Sequence, residues 1–456
     1  MHRRRYLTLL GLAGGAAAGA GCATFDPDGD DDDDDEDDGP GPTPPPTQQT
    51  PTETPLTPSD PIPHAEDYET VVDLAEAGAD TEGTESVVDL LEDNLGNDTL
   101  VYLPAGRYRI DRTVRQKSFV NLAIVGQQAT IVPSSDFGSV FFDLGRPGEA
   151  TDLLVEGVTF DFRAPGVGSR PVSAVVGDNL TIRDVTVTGR QEAGQGMLRT
   201  DLTDPDGSGT VERFRAPDGA AYDTDSNGIL VGDNHRGTLR FLDCRIEGFP
   251  DNGLYADPED GRVEVVGGYY ADCNISCVRV GNDSLLRDVE IRCNSAPEGF
   301  SNMRGIRLTH GEGVTVENCL VEMRQVTGSD GGITLGKALA SATVTDTEIR
   351  VDADNVNGVQ VKPPTVVPAD GRIEFRDIDI TGSAAQRSAI EVHERQDCSF
   401  KRITVEQTGT QRDGIVLDRA MATLRDCWLD VTGQPLVYRG SASARVFDSY
   451  PPSLNS

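Results

Sequence analysis

Lysine is nearly missing from this chain: Lys117, Lys337, Lys362 and Lys401 stand against 36 arginines and 76 acidic residues, for a net charge of −36. Nothing in that balance offers a basic face that could displace counterions from DNA or RNA, so no nucleic-acid partner is expected. Histidine and methionine are scarce, at five residues each, which argues against a protein that handles metals through imidazole or thioether ligands. Long apolar runs are absent too. The longest, near the start of the chain, falls short of the roughly 20 residues that a membrane-spanning helix needs. The acidity is not confined to a tail, since residues 64–456 still hold 63 acidic against 37 basic side chains. A single Asp or Glu is therefore weak evidence for catalysis.

What the chain does have is a phrase restarted nine times between Asn227 and Pro435. A small or turn residue, often followed by Gly, precedes apolar, variable, apolar: Asn227-Gly-Ile-Leu-Val, Ser276-Cys-Val-Arg-Val, Arg304-Gly-Ile-Arg-Leu, Asn357-Gly-Val-Gln-Val, Ser388-Ala-Ile-Glu-Val. The starts lie 22 to 31 residues apart, a period that means stacked units, none able to bury its apolar face alone. A second phrase within each unit reads apolar, x, Asp or Asn, apolar or Cys, x, apolar, as in Phe241-Leu-Asp-Cys-Arg-Ile and Phe375-Arg-Asp-Ile-Asp-Ile. Alternation of period two marks strands, and the Asp marks a bend between them. Leucine-rich repeats are excluded by the lack of a leucine consensus and of a recurring helix. The fold class predicted is all-β, a right-handed parallel β-helix of about ten or eleven coils. The Asp ladder (Asp184, Asp243, Asp288, Asp346, Asp377, Asp426) is expected to be structural, its carboxylates capping the bend.

Ahead of the coils the chain divides into distinct parts. Arg3-Arg4-Arg5-Tyr6-Leu7 and the apolar stretch to Ala20 resemble a twin-arginine export signal, and Gly19-Ala20-Gly21-Cys22 resembles a lipobox. Residues 1–21 are thus read as a signal peptide, with Cys22 as the lipidated first residue of the mature chain, against simple cleavage and secretion. The lipid would be the one membrane contact, holding the protein on the outer face of the cell membrane or, without it, releasing it. Residues 22–63, acidic and then Pro- and Thr-rich, cannot bury a core and read as a disordered stalk. Residues 64–456 form the β-helix domain. The even acidity is similar to that of proteins from salt-loving archaea, where dissolved salt screens self-repulsion.

Seven cysteines follow Cys22. Cys244, Cys319 and Cys427 occupy one inward column too widely spaced for disulfides and read as buried thiols. Cys273, Cys277 and Cys293 lie on neighbouring coils, where a disulfide remains open.

Gly78-Ala79-Asp80-Thr81, the helical spacing of Glu85–Leu95 and the strand Thr99-Leu-Val-Tyr-Leu-Pro-Ala-Gly-Arg-Tyr together resemble the N-terminal cap of pectin-lyase-like β-helix proteins. The capping segment is placed at 70–110. That resemblance implies a fold and little about function, because the superfamily includes lyases, hydrolases, epimerases and adhesins. The sequence departs from its polygalacturonase-like hydrolases: residues 64–456 contain no Asp-Asp and no Gly-His-Gly, and the pectate-lyase Arg-x-Pro-x-x-Arg is absent.

Candidate chemistry sits on the outward positions of the opening strand. One column reads Leu230, Tyr255, Arg279, Arg307, Thr334, Gln360, Glu391, Val416, and the next Gly232, Asp257, Gly281, Thr309, Gly336, Lys362, His393, Asp418. Arginines, a lysine and a histidine together on so acidic a chain suit an anionic sugar chain lying along the helix axis. Arg279 and Arg307 would clamp carboxylates, with Tyr255, Gln360 and Asp418 also touching substrate. Lys362 or His393, with Glu391 beside it, would take the proton in a β-elimination, each of the two cations disfavouring charge on the other. The competing readings are a non-catalytic carbohydrate-binding or adhesion module and a glycoside hydrolase of an unfamiliar subgroup. Residues 190–226 read as an excursion forming a lid or groove wall. Within it Asp223, Asp225 and Asn227 match half of a calcium loop, the one cofactor suggested. His235 and His310 are expected in turns at the surface.

Overall fold

The computed structural model describes residues 61–135, 137–365 and 371–454. The signal, Cys22 and nearly all of the stalk lie outside them. From Pro61 onward the described residues belong to one unit, a right-handed parallel β-solenoid of about thirteen turns. A 13-stranded sheet contributes one strand per turn, and a 24-stranded sheet wraps the remaining faces. The ladders are parallel and in register over long stretches, as where Ala342–Val351 pairs with Ile373–Gly382 and that strand with Cys398–Gln407.

The recurring Asp works through its backbone. Asp184, Asp243, Asp288, Asp346, Asp377 and Asp426 all have φ between 50° and 59°, the left-handed conformation that Asp and Asn tolerate best among residues with a side chain. It turns the chain from one face to the next, inside a continuous strand at Asp346 and Asp377 and between two short strands at the other four. The carboxylates do not all cap the bend as the sequence suggested: Asp346 accepts from the adjacent Thr345 hydroxyl at 2.7 Å, but others reach the next coil. Asp184 accepts hydrogen bonds from Arg213 Nε and Nη2 at 2.6 and 2.7 Å, and Asp377 is paired with Arg402 in the same fashion. Asp184 and Asp377 thus tie one coil to the next.

Inside, Val, Ile, Leu, Phe and Cys stack in columns, for example Phe375 on Phe400 with centroids 5.2 Å apart and rings 3° from parallel. The seven cysteines from Cys244 to Cys427 are free and buried. That settles the alternatives at Cys273, Cys277 and Cys293 in favour of thiols, with Cys277 Sγ 3.9 Å from Cys293 Sγ. The first turn is closed by the helix Val88–Asn94, whose Val88 and Leu91 are buried. Before it, Asp80 accepts from the amides of Glu82, Thr84 and Glu85. Those bonds, led by the one from Glu85, lower its carboxyl to about 2.

Two expectations fail here. Residues 190–226 are no lid: Leu198–Leu202, Ser208–Glu212 and Arg215–Ala216 form an ordinary turn, paired to Val172–Val176 before it and Ile229–Val231 after it. The coil was hidden because Thr200 stands in its opening strand on the rung of Val231, where the repeat has an apolar residue. With this turn and the early ones counted, the turns exceed the ten or eleven expected. His235 is not at the surface. It is fully buried, its Nδ1 accepting from the Leu202 amide at 3.3 Å and its Nε2 3.3 Å from the Arg262 carbonyl. Burial pushes its pKa down, in keeping with a neutral ring bonded on both sides.

Candidate functional site

The 13-stranded sheet carries both outward columns in the predicted order. Tyr255 pairs with Arg279, Arg279 with Arg307, Arg307 with Thr334, Thr334 with Gln360, and Gln360 with Glu391. Along this ladder the environment changes. Leu230, Tyr255, Arg279 and Arg307 are half-buried, whereas Thr334, Gln360, Glu391 and Val416 are buried.

In the first stretch a cleft of about 420 Å³ opens, lined among others by Asp233, Tyr255, Asp257, Glu259, Arg279 and His310. The Arg279 guanidinium lies 4.1 Å over the Tyr255 ring, and its Nε donates to Asp257 Oδ2 at 2.7 Å. Arg279 is therefore already partnered. Arg307, on the next rung, has no hydrogen bond or ion pair among the described residues. Burial, followed by the nearby charges of Arg279 and Arg304, lowers its pKa. On the rung after that, the Thr334 hydroxyl is buried and also without a partner.

Two glycines shape the cleft. A Cβ on Gly232 would lie 2.5 and 2.6 Å from the Asp201 carboxyl oxygens, and one on Gly281 would lie 2.6 Å from the His310 ring. The empty positions on either side of the Asp257 rung are thus filled by side chains leaning in from farther coils. His310 reaches across to place Nε2 3.2 Å from the Pro258 carbonyl, so it belongs to the cleft and not to an exposed turn. Asp201 is 0% exposed, and burial, opposed by Arg199, raises its pKa. Its Oδ1 has no partner.

From Gln360 onward the rungs form a closed network. Lys362 Nζ donates to Asp330 Oδ2 at 2.7 Å, and Arg304 Nη2 donates to the same oxygen at 2.5 Å. Burial opposes the Asp330 charge, but these bonds outweigh it and hold the carboxyl below the usual range. His393 and Lys362 stand on adjacent rungs, as the register of their strands requires. They do not act as a mutually repelling pair, because each has its own carboxylates. His393 Nδ1 lies 3.1 Å from Asp418 Oδ2, and Nε2 lies 3.5 Å from Glu391 Oε1. Glu391 further accepts from Arg439 Nη1 at 3.0 Å and from Asn357 Nδ2 at 3.1 Å. Gln360 accepts from the same Asn357 amide.

The calcium reading finds no cage. Asp223 and Asp225 are exposed, and Asn227 spends its Oδ1 on the Asn252 amide at 3.3 Å. No grouping of His, Cys, Asp or Glu suited to a metal occurs among the described residues. The sequence placed Asp257 and Thr334 in the same two columns as Tyr255, Arg279 and Arg307, and the register keeps them there, but it missed Asp201 and His310 as neighbours. It also missed Asp330 as the partner of Lys362. Glycine at 232 and 281 was the available signal, since a blank rung beside an acidic one admits a side chain from elsewhere.

Fold and face together define a parallel β-helix protein with a polar cleft on its long side. No protein-family profile matches the chain, and no curated protein sequence does. Solved structures do resemble it. The catalytic unit of a GH87 α-1,3-glucanase from Streptomyces thermodiastaticus is 15% identical with a TM-score of 0.46, over 85% of this chain and 71% of that one. The A-module of an Azotobacter vinelandii mannuronan C-5 epimerase is 14% identical with a TM-score of 0.43, over 85% and 100%. The Streptococcus pneumoniae surface protein and adhesin PfbA is 13% identical with a TM-score of 0.41, over 83% and 100%. Likeness at this level says nothing about activity.

Proposed function

We propose that this protein is exported, is held at the outer membrane face through a lipid on Cys22, and engages an acidic polysaccharide lying along its 13-stranded sheet. The carrying observation is the cleft itself, where an Arg279–Tyr255 stack offers a flat platform among hydrogen-bonding groups. A sugar ring can lie on such a platform while its hydroxyls meet Asp257 and its neighbours. The unpaired Arg307 supports an acidic chain over a neutral one. For the anchor, support rests on Arg3-Arg4-Arg5 and Cys22, and Cys22→Ser should move the protein from membranes to the medium. For the face, Tyr255→Ala should weaken binding to every polysaccharide that the wild type binds by roughly tenfold, the scale of a lost aromatic contact at a hot spot. Unchanged binding would remove the cleft from the account.

A second reading, β-elimination at Lys362 or His393, has specific contacts against it. The ion pair with Asp330 engages the lysine ammonium, the form that cannot accept a proton. Binding without cleavage therefore fits the contacts better than the lyase. An acidic-glycan digest that yields unsaturated uronates, and loses them in the Lys362→Ala and His393→Ala double variant, would reverse that order.

A further inference from the structure

We infer that Arg307 and Thr334 form a carboxylate subsite, set two rungs along the axis from the Tyr255 platform. The inference rests on the glycan-face reading above and adds where the charge of the sugar chain is held, by what, and at what spacing.

Buried polar groups find partners in folded proteins, and the exceptions need an explanation. Here one such group, the Thr334 hydroxyl, stands on the rung next to a half-buried arginine, Arg307, that has no hydrogen bond or ion pair among the described residues. Thr334 is 1% exposed with an orphan hydroxyl. Arg307 is half-buried in a chain carrying almost twice as many acidic as basic groups. Its neighbours are already committed, Arg279 to Asp257 and Arg304 to Asp330, so neither the guanidinium fork nor the hydroxyl is answered from among the described residues. A planar two-oxygen anion answers both: the fork donates to its edge and the hydroxyl donates a further bond. The tetrahedral oxygens of a sulfate ester share the charge but not the planar edge.

Spacing adds a second constraint. Rungs of a parallel sheet are about 4.8 Å apart, so Tyr255 and Arg307 are separated by roughly 10 Å along the axis. A single uronic acid cannot reach both. An oligosaccharide can, with one ring over Tyr255 and a charged residue farther along.

The test is titration calorimetry of the full chain in fixed salt with uronic-acid oligosaccharides of one to four residues, their carboxyl-reduced forms and sulfated neutral oligomers. The carboxylated chains should bind about tenfold tighter than the reduced ones, the gain expected of a charge-assisted fork. It should appear only once the oligomer exceeds a single residue. Arg307→Ala should erase the preference while leaving the reduced chains unaffected, and Thr334→Val should lower it a few-fold. The valine variant should fold at least as well as wild type, because it removes an unanswered hydroxyl. A carboxylate preference that survives both substitutions would place the charge elsewhere and overturn the subsite. So would sulfated chains that bind through Arg307 as tightly as carboxylated ones. Equal binding of charged and reduced chains, abolished by Tyr255→Ala, would refute the subsite while sparing the glycan face. Failure of every oligomer and polymer to bind would refute both.

Discussion

Tyr255, Arg279 and Arg307 share one ladder with Gln360 and Glu391, yet one stretch leaves polar capacity open and the other closes it. Both stretches carry polar or charged side chains at outward positions. What differs is supply: Asp330, Asp418, Arg439 and Asn357 reach the later rungs, whereas the earlier ones meet two glycines and a cleft. Charged side chains on a β-helix face do not mark a site by their presence. A site shows where their hydrogen-bonding groups go unanswered.

The sharpest break in that comparison is in stability. Glu391 is 9% exposed and holds Asn357 and Arg439, with His393 alongside. Glu391→Ala strands the buried Asn357 amide and leaves Arg439, itself half-exposed, to solvent, and should cost about 1–3 kcal/mol, the range for leaving a buried hydrogen-bonding partner unanswered. Arg307→Ala breaks nothing and should stay within about 0.5 kcal/mol of wild type. Urea melts followed by circular dichroism at fixed salt measure both. Similar losses would mean that Arg307 has structural work that its contacts do not reveal.

A smaller effect follows pH through Asp330. Its carboxyl is held below the usual range by Lys362 and Arg304 against the cost of burial, so its proton is bound less tightly in the folded chain than in the unfolded one. The stability it adds is full above the ordinary aspartate pKa of about 3.9 and is lost as pH falls through the lower folded value. Asp330→Asn should therefore melt below wild type at neutral pH, with the gap closing in acid. A gap independent of pH would show that the carboxylate charge is not what holds the closed stretch.

Asp201 gives the smallest and opposite signal, on the open side. Burial raises its pKa, so its contribution is best at low pH and is lost as pH rises through the folded value. Asp201→Asn should raise Tm more at pH 8 than at pH 4. If the gain is equal at both, the carboxyl is not titrating behind Gly232.

The coils were legible in the sequence because each must satisfy the same local demands: two inward apolar residues per strand and a residue tolerant of positive φ at each corner. Asp243 and Asp377 announce that corner wherever they recur. The turn at 190–226 escaped because Thr200 takes an inward apolar position of its opening strand and blanks out the periodicity. The outward columns were legible as an order along the axis, since parallel register follows from the repeat. Their partners were not. Asp330 and His310 lie outside the outward columns, and Asp201, one rung before Gly232, was not read into its column because its coil was missed. Whether a rung is open or closed depends on such long side chains, and these obey no period.

The most direct test sets one residue of each stretch against the other: the affinity of an acidic oligosaccharide for the full chain carrying Arg307→Ala or Lys362→Ala, at the same pH and salt. Loss with Arg307→Ala and near wild-type binding with Lys362→Ala is the predicted result. The reverse pattern would place the ligand on the closed network and contradict the account.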